Sequence, residues 1–307
     1  MPAATTHVEM AKDVLRTSPE IAKLVKNKQM FFLGSQGPDL LFFNRASILP
    51  GSTKKYGNMM HVHKVAEVIS YFERYANTSE DLKSYFLGYL CHYCLDSTVH
   101  PLVYGVSRKL HNETGTNEGE IHVGLESEID VWMLAQRGRS KESYNVYEYL
   151  KINASCRRQL AEMYHNMFMD VFHISISEKH LNRAIQDVAF YTRVLAPNKI
   201  KHDFFYAIEN VVMKGTHAIT AMMLDNTNVL DIINLDYKSY PLPWNAEETI
   251  SCDSSVRITL SNRAVNTFFY FFQNIYQEPE GILIIIFFLS LCTIVRTGIC
   301  FLRSACT

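Results

Sequence analysis

The sequence predicts an all-α protein, a single multi-helix domain, and two observations carry that expectation. Apolar residues recur at three- and four-residue intervals through most of the chain, the spacing that lines one face of a helix. No hairpin or alternating strand is convincing, and the one β-like run is Val171–Ser177.

The helical intervals run through Val8–Arg16, Ile21–Gln29, Met60–Tyr75, Leu82–Cys94 and Gly119–Gln136. They resume through Cys156–Phe172, Lys179–Val194, Asp203–Met223 and Ile258–Tyr276. Thr5 or Thr6 can cap the first of these. Between them, Phe32–Asn58 reads as a long loop containing Gly34, Gly37 and Pro38, and long ordered loops are often site walls. Its aromatic residues Phe31, Phe32, Phe42, Phe43 and Tyr56 could line a pocket or join the core. Asn226–Asp253, with Pro241, Pro243 and Trp244, reads as a second irregular stretch. The expected domain covers residues 1–276, with 277–307 as an apolar C-terminal tail.

The most informative motif lies in Gly-Tyr-Leu-Cys-His-Tyr-Cys-Leu-Asp-Ser-Thr-Val-His-Pro, where His92, Asp96 and His100 are spaced by four. A helix turns about 100° per residue, so the three drift by only about 80° across one face. Two imidazoles and a carboxylate would then share an otherwise apolar stripe. Burying them without partners is costly, and a shared cation would satisfy all three. The plain alternative, core histidines bonded to backbone, explains one such residue better than three in register. Pro101 predicts a bend or restart just after His100.

A second pair, His122 and Glu126, repeats the four-residue spacing beside apolar Ile121, Leu125, Ile129 and Met133. This is a zinc-ligand spacing, though weak when alone. Glu128 and Asp130 read as solvated acids of an ordinary amphipathic helix. Upstream, His7, Asp39 and either His61 or His63 are further candidates. His61 is preferred over His63, because residues two apart point in different directions from a helix.

Taken in order, the set reads His, Asp in a Gly-Pro-Asp loop, His, His-x-x-x-Asp, His, then His-x-x-x-Glu. This order resembles the zinc-dependent phospholipase C family, related to the phospholipase C/D domains and more distantly to the helical zinc nucleases, over Thr6 to Asp130. The resemblance implies a helical domain of the kind those enzymes share. It further implies that Asp39, His61, His92 and Asp96 hold one zinc, and that Asp96 bridges to another that also takes His7. His100, His122 and Glu126 would hold the remaining one. Asp39 would also be catalytic, orienting a water or accepting its proton. The chain departs from the secreted members in its start, Met-Pro-Ala-Ala-Thr-Thr-His, and in a shorter Asp96-to-His100 interval. Two zinc ions are expected, with a third left open.

Composition bounds the alternatives. With 48% apolar and 20% charged residues the 307-residue chain is ordinary for a globular protein, and a net charge of −1 argues against nucleic acid as a partner. Seven cysteines form no zinc-finger spacing, and Cys91 and Cys94 read as small buried residues. An odd cysteine count and an N-terminus without a charged-then-apolar leader fit a cytoplasmic location. Gly281–Val295 is uncharged and Arg296 follows, so the tail could anchor in a membrane, lie at its surface or pack as a helix. The expected function is zinc-dependent hydrolysis of a phosphodiester, a phospholipid first, by metal-activated water, with a membrane surface left open as a partner. A nuclease or small-molecule phosphoesterase on the same scaffold, or a non-catalytic helical protein, are the alternatives.

Overall fold

A computed structural model describes residues 4–47, 49–225, 239–242 and 245–251. The architecture is all-α, as the apolar spacing predicts. Its elements in order are α1 (Ala4–Thr17), α2 (Pro19–Leu24), α3 (Lys28–Gly34), α4 (Lys54–Val62), α5 (Val65–Ala76), α6 (Glu80–Thr114) and α7 (Glu118–Ala135). Then follow α8 (Ala154–Phe172), α9 (Glu178–Val194), α10 (Lys199–Val212) and the short α11 (Ala218–Ala221). An antiparallel hairpin of β1 (Ser239–Leu242) and β2 (Asn245–Ser251) lies within the stretch expected to be irregular. The expected helix Ile258–Tyr276 and the apolar tail lie outside the described residues. Among those described, no helix is long and apolar enough to cross a membrane.

The central element is α6, 35 residues long, or about 52 Å at the usual rise. Its first half lies among α3, α5 and α8. There Tyr85, Tyr89, Phe72 and Tyr164 are fully buried, and the Tyr85 and Tyr164 hydroxyls meet at 2.7 Å. Its second half packs on α7 through a separate apolar cluster of Leu102, Val103, Val106, Ile121 and Leu125. This cluster explains why α6 does not stop at Cys94 or restart after His100. A proline inside a helix costs about 3 kcal/mol, whereas each apolar side chain buried beyond Pro101 returns about 1.5–3 kcal/mol. Three of them outweigh the lost bond. The helix ends at Gly115, whose φ of +71° is left-handed and whose N–H bonds to the His111 carbonyl.

Elsewhere caps cut the apolar intervals into shorter pieces. Ser18 accepts from the Ile21 N–H and Asn27 from the Met30 N–H, so the expected Ile21–Gln29 helix becomes α2 and α3. Lys64, at φ +53°, separates α4 from α5 inside the expected Met60–Tyr75 helix. The expected Asp203–Met223 helix breaks between α10 and α11, where Gly215 has φ +82°. The β-like run Val171–Ser177 forms no strand. It spans the end of α8, a left-handed His173 and the Ser177 cap of α9. The expected long loop Phe32–Asn58 is largely helical, with 3₁₀ turns at Gly37–Phe42 and Asn44–Ser47. Buried Asp187 of α9 holds it in place, accepting from the Asn44 side chain and the Arg45 N–H.

Glycines bring α3 onto α6 at backbone distance. A Cβ on Gly88 would lie 2.0 Å from the Phe31 carbonyl oxygen, and one on Gly34 would lie 2.1 Å from that of Tyr85. Both clashes are with backbone, which cannot swing aside. Gly88→Ala is therefore expected to destabilise the protein by about 3 kcal/mol, the upper range for overpacking. Thermal denaturation followed by circular dichroism measures this, and an unchanged midpoint would show that the helices can separate without loss.

Candidate metal centre

Each of the eight residues singled out in the sequence reaches one region. His7 projects from the first turn of α1, Asp39 from the first 3₁₀ turn, and His61 from the last turn of α4 rather than from a helix start. His92, Asp96 and His100 lie along α6, and His122 and Glu126 along α7. His63 ends α4 in extended backbone and is exposed, so of that pair His61 is the one at the cluster.

The Asp96 carboxylate is the centre. Its Oδ1 lies 3.4 Å from His7 Nε2, and its Oδ2 lies 3.2 Å from His92 Nε2, 3.6 Å from His100 Nδ1 and 3.9 Å from His61 Nε2. Asp39 faces the same space, 3.0 Å from His61 Nε2 and 4.0 Å from His7 Nε2. His61 Nδ1 is 2.8 Å from the Gly57 carbonyl. Donation of its N–H there turns Nε2 toward Asp39, and in the neutral ring Nε2 is the nitrogen that can coordinate. In the second group, His100 Nε2 and His122 Nε2 both lie 3.1 Å from Glu126 Oε1.

Burial and charge set the protonation of these groups. Burial pulls His92 down to about 4 against the nearby carboxylates. Burial opposes charge on His100 too, but Asp96 and Glu126 prevail and raise it to about 9. His61 is likewise raised: burial opposes its charge, but Asp39, Asp96 and the Gly57 carbonyl together prevail. Desolvation would raise Asp39 and Glu126, yet facing imidazoles hold both below the usual carboxylate range.

The fit to metal rests on what these atoms lack. Both ring nitrogens of His92, His7 Nδ1, Asp96 Oδ2 and Glu126 Oε2 are buried and in no hydrogen bond. The contact between His92 Nε2 and Asp96 Oδ2 has the length of a hydrogen bond but not its direction. Buried polar atoms normally find partners, and a cation would satisfy those that face one another here, His92 Nε2 and Asp96 Oδ2. One ligand atom each from His7, Asp39, His92 and Asp96 fall within 4.8 Å of one another, as do those of His100, His122 and Glu126. Imidazole and carboxylate donors in threes and fours suit zinc.

Several residues around the centre differ from expectation. Glu128 and Asp130 are buried, not solvated. Thr6 does not cap α1; its N–H and hydroxyl both donate to Asp130 across 124 residues. The expected pocket aromatics are mostly core, with Phe31, Phe32 and Phe43 buried. Phe42 alone of them stacks on a site residue, His61, at 5.6 Å. Tyr104, one turn beyond His100, was not singled out by spacing. Its ring lies 4.9 Å from His122 and 5.3 Å from His100, and it is 39% exposed. Cys91 and Cys94 are buried as expected, and burial raises both thiols. Glu118 pairs with Arg108 and Glu120 accepts from the His217 N–H, so neither joins the cluster. His202 and Asp203 sit together on α10, and among the described residues they join neither ligand group.

A helical scaffold that gathers five histidines and two further carboxylates around one aspartate has the donor set of a class of metal-binding proteins. The sequence profile of one such family, described as zinc dependent phospholipase C, matches residues 6–181. The chain belongs to the zinc-dependent phospholipase C family. No curated protein and no solved structure matches it.

The orphaned His92 ring predicts a trade between folding and metal. His92→Leu fills the same space without unpaired nitrogens, whose burial costs about 1–3 kcal/mol each. In chelator the variant is expected to be more stable than the parent to urea, while in zinc the parent gains stability and the variant gains less. Equal responses to zinc would remove His92 from the metal site.

Proposed function

We propose that the chain is a zinc-dependent phosphodiester hydrolase whose substrate is a phospholipid. The observation that supports this most directly is the Asp96 carboxylate, contacted by histidines of both ligand groups. His7, Asp39, His61, His92 and Asp96 would hold zinc on one side, and His100, His122 and Glu126 on the other. Two ions account for the two groups, and a third could share Asp96 with His7. Bound zinc supplies Lewis acidity, offsetting charge on the phosphoryl oxygens and bringing a water's pKa toward neutrality.

The protein's own groups then divide the work. Asp39 would aim that water at phosphorus through a hydrogen bond. Its depressed pKa makes it a weak base, so orientation is a better use of it than proton capture. His61, fixed by Gly57 and backed by Phe42, keeps Asp39 from turning. Tyr104 stands exposed beside His100 and His122, where an incoming phosphate ester would meet it. The family's substrate class implies that the reaction takes place at a membrane surface.

Two measurements test the reading. Elemental analysis of protein purified without added metal or chelator is expected to give two or three zinc ions per chain. Asp96→Asn should lose more than one of them, whereas loss of one or none would refute the shared carboxylate. Choline or ethanolamine phospholipids should be turned over in preference to nucleotides; the reverse preference would favour a nuclease.

Zinc uptake should also release protons. His100 keeps its proton up to about pH 9 in the metal-free state, and a coordinating imidazole must give it up. Apparent zinc affinity is thus expected to climb as pH rises toward 9. Calorimetry in buffers of differing ionisation enthalpy reads the protons directly, and no release at pH 7 would exclude His100 as a ligand.

A further inference from the structure

His7 sits in the first turn of α1, where helices fray because their leading N–H groups have no carbonyl partners. Here one of them is held from far along the chain. Asp130 Oδ1 accepts from the Thr6 N–H at 2.7 Å and from the Thr6 hydroxyl at 2.8 Å. Its charge also complements the positive end of the α1 dipole. On the other side, Lys141 Nζ lies 3.7 Å from Asp130 Oδ2. The lysine is fixed in turn by Ser127 Oγ and the Met222 carbonyl oxygen, at 2.5 and 3.0 Å. Both Thr6 and Asp130 are buried, so water does not compete for these bonds.

Asp130 is four residues beyond Glu126 and eight beyond His122, which places all three along one stripe of α7. Two of them face the second ligand group. The third grips the residue next to His7, which belongs to the first. We propose that Asp130, buttressed by Lys141, is a positioning residue that holds His7 at the shared Asp96 carboxylate. This rests on the metal reading of the site given above. The geometry leaves His7 little freedom: its Nε2 is 3.4 Å from Asp96 Oδ1, while its Nδ1 has no hydrogen bond to hold the ring. The ring stacks on His92 at 4.7 Å, and its place along α1 is set by a helix start that Asp130 grips through Thr6 and Gln36 meets at the Ala4 carbonyl.

The test uses the full chain loaded with zinc and dialysed against a graded series of chelator concentrations. Zinc per chain is read by elemental analysis and folding by circular dichroism. Groups that orient metal ligands typically contribute 10–100-fold to affinity. Asp130→Asn and Thr6→Val are each expected to release one ion at chelator concentrations about 10-fold or more below those needed by the parent. The remaining zinc should be retained as in the parent, and Thr6→Ser, which keeps both donors, should behave as the parent does. Should Asp130→Asn fail to fold, Thr6→Val decides alone, since it removes one hydroxyl of similar volume. Parent-like zinc retention in folded Thr6→Val and Asp130→Asn would overturn the positioning role while leaving the metal site intact. Simultaneous loss of every ion from folded variants would overturn it too, because the second group does not use His7. A parent chain that holds no zinc would instead defeat the metal reading itself, and the positioning role with it.

Discussion

The direct backbone contact between α3 and α6 is the constraint on which the rest of the molecule depends. Gly34 and Gly88 have no side chains, so the two helices meet carbonyl against Cα instead of ridge against groove. The chain leaving α3 is thereby delivered onto α6 within a few residues. Gly37 follows with φ +52°, and a Cβ there would fall 2.2 Å from the His92 ring. The turn it permits lays Pro38 and Asp39 against the middle of α6. Without that approach, Asp39 would be kept a side chain's thickness from the histidines it faces.

The same closeness makes the centre expensive to fold. Imidazoles and carboxylates are drawn into the interior, where both nitrogens of His92 remain unbonded. The surrounding core compensates with an aromatic layer of Phe72, Tyr85, Tyr89 and Tyr164, in which Phe72 and Tyr89 pack edge to face. Stability is thus unevenly distributed, with well-satisfied packing on one side of α6 and unmet polar valence on the other. Such a division is expected where a site is preorganised for a ligand that brings its own charge.

Much of this was legible in the sequence because it followed helical periodicity. His92, Asp96 and His100 had to share a face once α6 was a helix, and so did His122 and Glu126. Caps and left-handed positions were harder to place. Asn27 could be any polar residue until its bond to the Met30 N–H is seen, and nothing in the composition marks Lys64 as a helix break. Asp130 misled for a related reason. An acid on an amphipathic helix is ordinarily solvated, and its burial is tolerable here because Lys141 and Thr6, the latter from the far end of the chain, both meet it. Tyr104 was missed because aromatic residues at helical spacing are more often core. The helix does not restart at Pro101 because a local rule met a larger tertiary term, the apolar cluster shared with α7.

One consequence follows from α6 running unbroken past Pro101. Because His92, Asp96 and His100 hang from a single rod, the separation of the two ligand groups is set by helical pitch, about 6 Å for each four residues. A single inserted residue between Asp96 and His100 would swing everything beyond it by about 100°, carrying His100 away from Asp96. The stretch therefore behaves as a ruler of fixed length, closed to insertion and deletion, even where individual side chains along it can be exchanged.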